Sequence, residues 1–172
     1  MSTSQDISMY AASVPVFRQI LTSLSAILKK AEDHADAKKL EPNALLQARL
    51  FPDMFPLLRQ VQLTSDFAKG AAARLGGIEV PRYDDVEHDF AGLQARIEKT
   101  LAFIDSVPRE AIEGSADRDV TVGSGEKQRE FKGQTYLLHY SLPHFYFHAT
   151  TAYAILRHNG LEIGKKDFIG SF

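Results

Sequence analysis

The sequence predicts an all-α protein, an up-and-down four-helix bundle with a small β-hairpin before the last helix. Three observations predict it. Four long stretches repeat apolar residues at three- and four-residue spacing, which draws one apolar stripe along a helix. Proline, Gly-Gly and Asn-Gly steps punctuate those stretches. Between the third and fourth stretches, two short strand-like runs flank a Gly-Ser-Gly turn. The whole chain, 1–172, suits one domain around one core.

The first helix is expected from Met9 to about Lys30, where Phe17, Ile20, Leu21, Leu24, Ile27 and Leu28 share a face. Pro15 belongs either in its first turn, behind a Ser13 cap, or at a kink in a longer helix. A polar connection is expected from Glu32 to Asn43, then a short helical piece at Ala44 to Leu50. Pro52-Asp53 opens the second long helix, with Pro56 in its first turn, where a missing N–H costs little. It ends near Leu75, before Gly76-Gly77, and Ile78 to Tyr83 reads as loop.

The third long helix carries Val86, Phe90, Leu93, Ile97, Leu101 and Ile104. Asp84 or Asp85 is its expected cap, with acidic residues near its positive end. Pro108 ends or follows it. Asp119–Val122 and Gln128–Phe131 form the hairpin strands around Gly123-Ser124-Gly125. A phosphate cradle would instead need a loop running into a helix N-terminus. The fourth long helix is expected to start around Ser141-Leu142-Pro143, with Ser141 as cap, and to stop at Asn159-Gly160.

Composition narrows the function. The formal net charge is −2, so no global basic field draws nucleic acid or an anionic membrane surface. There is no cysteine, which excludes disulfides, thiolate nucleophiles and cysteine-ligated metals. Any metal would take His, Asp, Glu, amide oxygen or water. No stretch is long and apolar enough to cross a bilayer, and the N-terminus lacks the basic start and apolar run of a signal peptide. The expected location is therefore the cytoplasm.

Placing each residue at helical pitch shows which polar groups turn inward. On the last helix Phe145, Ala149, Ala152, Tyr153, Ile155 and Leu156 share an arc that also contains His148. His144, one turn earlier, lies at its edge. On the second helix Leu57, Val61, Phe67, Ala68, Ala71, Ala72 and Leu75 face inward, together with Gln60 and Thr64. Arg59, Gln62, Asp66 and Lys69 fall on the opposite side. Two histidines at i and i+4 can share one metal ion, zinc or nickel, because their rings leave the same helix face. A third ligand must come from another helix, where Gln60 is the inward polar candidate. The alternatives are a core histidine, with His148 bonded to Gln60, Tyr153 or a backbone carbonyl, and a small-molecule pocket lined by Gln60, His144, His148 and Tyr153. His34, His88 and His158 belong on the surface, and His139 can go either way. The aromatic residues Tyr136, Tyr140, Phe145, Tyr146, Phe147 and Tyr153 read as core or a subunit interface more often than as the lining of a ligand pocket. Phe147 falls outside the arc, and if exposed it marks a homodimer contact.

Two stretches resemble a known bacterial family of unknown function, grouped with the DinB/YfiT-like superfamily of metalloenzymes. They are Pro52-Asp53-Met54-Phe55-Pro56-Leu57 with Arg59-Gln60-Val61-Gln62, and Leu142-Pro143-His144-Phe145-Tyr146-Phe147-His148-Ala149 running on to Asn159-Gly160. The tail Gly164-Lys165-Lys166-Asp167-Phe168 fits as well. The resemblance implies a DinB-like four-helix bundle, often dimeric. It also implies a three-histidine metal site, one histidine from the second helix and an H-x-x-x-H pair from the last. His144 and His148 match the pair, although the family pattern usually has asparagine at the first position. No histidine lies on the second helix, where Gln60 is the nearest substitute, which suggests a degenerate site.

Two functions follow. The first is a module that binds a small ligand or pairs as a dimer, with a degenerate metal site and no cofactor. The second is a metal-dependent hydrolase or transferase acting on a small molecule, with a metal-bound water as base or nucleophile.

Overall fold

Apolar spacing carries α1, Val14–Lys38, two turns beyond its expected end. Ala31 and Ala35 continue the stripe begun by Phe17 and Leu21, and all four are buried. The polar connection expected from Glu32 is thus mostly helix, its charged residues pointing outward. Pro15 lies in the first turn. Ser13 precedes the helix without capping it, because its hydroxyl donates to the Met9 carbonyl at 2.6 Å. Lys39 ends the helix at φ 54°, with Leu40 N–H returning to Ala35 O. The computed structural model describes residues 7–172. Residues 1–6, part of the stretch read for a signal peptide, lie outside the described residues.

A short α2, Pro42–Leu46, leads to α3, Leu57–Gly76. α3 starts later than expected, with Pro56 just before it in extended backbone, ψ 165°. Proline disfavours helix in the residue ahead of it, so Phe55 cannot extend α3 backwards. Gly77 closes α3 at φ 68°, a conformation that suits glycine.

Residues 78–89 form no helix, so α4 runs only over Phe90–Ser106. Asp89, rather than Asp84 or Asp85, caps it by accepting from Gly92 N–H at 2.7 Å. Val86 is 73% exposed and belongs to no stripe. The reason is charge, since Asp85 and Glu87 are drawn to Arg96 and hold the segment extended across the bundle. A short α5, Arg109–Glu113, follows Pro108.

The hairpin pairs β1, Asp119–Val122, with β2, Arg129–Lys132, antiparallel, Val120 opposite Phe131. A 3-10 turn at Gly125–Lys127 lies in the connection. The last helical run begins eight residues before its expected start. It comprises α6 (Gly133–Thr135), a π-helical segment (Tyr136–Ser141) and α7 (Leu142–His158). Ser141 is buried and helical, so it is not a cap. Pro143 has no N–H to return to the preceding turn, and helices commonly distort just before such a proline. A short α8, Lys165–Ile169, folds back on α1, where Gln19 donates to Ile169 O at 2.9 Å.

The four long helices, α1, α3, α4 and α7, surround one core, as an all-α bundle requires. Phe17 of α1 meets Phe145 of α7 edge-on, centroids 4.8 Å apart. α3 packs against both α7 and α4 and is buried almost all round. Gln62 and Lys69, expected outside, are therefore buried under residues 78–89. Among the described residues no helix is long and apolar enough to cross a membrane.

Candidate functional site

The contact between α3 and α7 brings Gln60 and His148 together. His148 Nδ1 and Gln60 Oε1 are 2.8 Å apart, while Gln60 Nε2 donates to the Phe55 carbonyl at 3.1 Å. A carbonyl only accepts, so Phe55 fixes which end of the Gln60 amide is NH₂. The amide oxygen then faces His148 and also only accepts. His148 must carry its proton on Nδ1, and Nε2 is left as a lone pair.

His144 is fixed in the same way. Its Nδ1 lies 2.7 Å from the Tyr140 carbonyl, one turn back, so Nδ1–H donates and Nε2 is free of that bond. Among the described residues neither Nε2 has a hydrogen-bond partner. Phe67 of α3 stacks beneath both rings, 4.6 Å from His144 and 5.6 Å from His148. Tyr140 and Phe147 close the sides, against His144 and His148 respectively.

Burial, then the neighbouring His144 and the Arg59 guanidinium, push the His148 imidazole down to about 4. A charged ring would lose hydration and meet the positive Arg59. The ring is therefore neutral at pH 7. Arg59 is itself held by Asp85 at 2.5 Å and Gln62 at 3.1 Å.

Tyr153 is not brought to this group. Its ring packs edge-on against Phe168 of α8, at 5.8 Å. Phe147 is exposed, as are His88, His139 and His158, while His34 is half-buried.

The residues do not fit a three-histidine metal centre. Gln60 stands where the third ligand would come from, and both ends of its amide are spent on His148 and Phe55. Arg59 adds positive charge beside the pair. Among the described residues no group of three or more His, Asp or Glu is gathered to hold an ion. The anchoring of each Nδ1–H on a carbonyl oxygen is nonetheless the arrangement that orients metal-binding histidines.

Helical periodicity does not by itself reveal a second cluster. Arg96 of α4 is buried, yet its guanidinium meets Asp66 at 2.9 Å, Asp85 at 3.1 Å and Glu87 at 2.9 Å. Lys69 adds a bond to Asp66, and Gln62 one to Glu87. Burial opposes the Arg96 charge, but the carboxylates outweigh it and raise its pKa. Burial likewise works to raise the Glu87 carboxyl, but bonds from Arg96 and Gln62 hold it below its usual range. The signal was present: Arg96 lies three residues after Leu93 and four before Thr100, both buried.

A bundle of long helices with a small antiparallel hairpin before the last one defines a DinB-like fold. The model of the family described as "Domain of unknown function (DUF1993)" matches residues 9–169, and the chain belongs to that family. It is similar to the crystal structure of a DinB family member from Shewanella denitrificans. The two share 37% identity over 95% of this chain and 92% of that one, with a TM-score of 0.88. No curated protein matches the chain.

Proposed function

We propose that this protein is a cytoplasmic small-ligand-binding bundle, in which a degenerate metal site serves to recognise the ligand. The observation that supports this is the Gln60–His148 bond. It consumes the third potential ligand and leaves the neutral His148 ring with an Nε2 lone pair that accepts a hydrogen bond, beside the His144 ring. An N–H or O–H group of a small molecule complements that lone pair, and the rings of Phe67, Tyr140 and Phe147 offer apolar contact. The test is metal analysis of the purified protein beside a His148→Ala variant. The proposal expects no stoichiometric metal and no His148-dependent rise in Tm with zinc or nickel. Stoichiometric metal that disappears with His148→Ala would overturn it in favour of a metal-dependent hydrolase or transferase.

A second reading, compatible with the first, is pairing of two copies into a homodimer. Phe147 is 56% exposed, and it lines a shallow groove of about 440 Å³ with Leu50, Pro143 and Tyr146. Large exposed aromatic groups of this kind mark association surfaces. Sedimentation velocity tests it: a dimer that Phe147→Glu splits supports the reading, and a monomeric wild type removes it.

A further inference from the structure

A groove of about 210 Å³ opens where α3 meets the hairpin and the π-helical segment, lined by Asp66, Phe67, Arg74, Gly123, Tyr136 and Tyr140 among others. We propose that it binds a small carboxylate, with the anionic head on Arg74 and an apolar body against Phe67 and Tyr140.

The charge balance carries the argument. Arg59, Lys69 and Arg96 are paired with Asp66, Asp85 and Glu87 in one connected cluster, three cations with three carboxylates. Asp66 also lines the groove, but Lys69 and Arg96 both hold its Oδ1 at 2.9 Å. Arg74 stands apart. It is half-buried, and among the described residues no carboxylate lies within salt-bridge distance. The only hydrogen bond of its guanidinium among the described residues is donated to the Tyr136 hydroxyl at 3.2 Å. A guanidinium has five donors in a planar fork that matches a carboxylate, so most of this fork is unused.

The space is shaped for the fork as well. A Cβ at Gly70 would fall 2.5 Å from Arg74 Nη1, so the glycine lets the guanidinium lie against α3. The π-helical turn sets Tyr136 and Tyr140 in a stack, centroids 5.8 Å apart, on the opposite wall. Such turns frequently occur at functional sites. The volume falls below that of drug-sized pockets, which selects a small molecule.

Phe67 and Tyr140 wall the groove and also touch His144. The proposal therefore deepens the ligand-binding reading by naming the ligand class. It rests on that reading for its biological meaning, but its chemistry depends on Arg74 alone.

Phenylacetate is a suitable probe and phenylacetamide its uncharged control. Both are titrated at millimolar concentrations into the full ¹⁵N-labelled chain, and the Gly70 and Gly123 amide signals are followed. Phenylacetate is expected to move them saturably, with the amide at least about tenfold weaker. Arg74→Gln should weaken phenylacetate at least about tenfold. Gly70→Ala should weaken it while leaving the charge in place. Arg74→Lys supplies a folded comparison should Arg74→Gln not fold, and it should also bind less tightly because it lacks the fork. Equal binding of acid and amide, no shift at these signals, or an Arg variant that binds like wild type would overturn the proposal. His148→Gln should keep phenylacetate binding. If it abolishes binding while Arg74→Gln does not, the anion sits on the histidine pair and the groove proposal fails. If phenylacetate binding depends on Arg74 while metal analysis finds a stoichiometric ion on the histidines, the groove stands and the metal-free reading falls.

Discussion

The Gln60 carboxamide and the His148 imidazole orient each other across the α3–α7 contact. The amide oxygen accepts from Nδ1–H at 2.8 Å, and the amide nitrogen is tied down by the Phe55 carbonyl. One backbone oxygen thus determines which nitrogen of a histidine on another helix bears a lone pair.

That relay predicts a tautomer. Long-range ¹H–¹⁵N spectra near pH 7 should show His148 protonated on Nδ1 and bare on Nε2. Gln60→Glu should raise its titration midpoint above about 4, because a carboxylate favours the charged ring. Gln60→Ala should cost about 1–3 kcal/mol in urea unfolding by leaving the buried His148 N–H without its acceptor. An Nε2–H tautomer in the wild type would break the chain of reasoning.

Stability should depend on pH through the same ring. The folded-state value, about 4, lies below the ordinary 6.5, so the unfolded chain binds the proton more readily. Its contribution is full above about pH 6.5 and is lost as pH falls toward 4, by no more than about 3 kcal/mol. Unfolding free energies across this range should fall for the wild type and stay flatter for His148→Gln. Parallel curves would show that His148 does not carry the effect.

Arg96→Met should destabilise the protein by about 3–5 kcal/mol, because it strands carboxylates that Arg96 neutralises. Glu87 bears most of this, its side chain being 11% exposed, while Asp85 at 44% can turn to water. Pairing Arg96→Met with Glu87→Gln should therefore recover part of the loss. Arg96→Lys should recover little, since one ammonium cannot bridge carboxylates on several sides. Urea denaturation measures all three, and a fully stable Arg96→Met would refute the account.

Lys39→Gly should stabilise the chain by up to about 1 kcal/mol, visible as a higher Tm. Lys39 is the only non-glycine residue with positive φ among the described residues, at 54°. It is exposed and makes no side-chain bond there, so its side chain is lost without penalty.

The sequence by itself determined the helical class, the apolar core, the hairpin and the inward turn of His148. All of these follow from spacing along the chain, since apolar residues at helical pitch must bury the same face and whatever polar group falls among them. Residue chemistry also limited the metal ligands available. The tertiary structure decided the rest. Residues 84–87 went to Arg96 instead of extending α4, and Ser141 became interior to a helix instead of its cap. Tyr153 shares an arc with His148, yet it packs against Phe168, because an arc does not say which neighbour covers it. The tautomer of His148, the balanced charges around Arg96 and the unpaired fork of Arg74 all depend on groups far apart in sequence. Periodicity can say that a side chain faces inward, but what it meets there is set by the packing of α3 against α7 and α4.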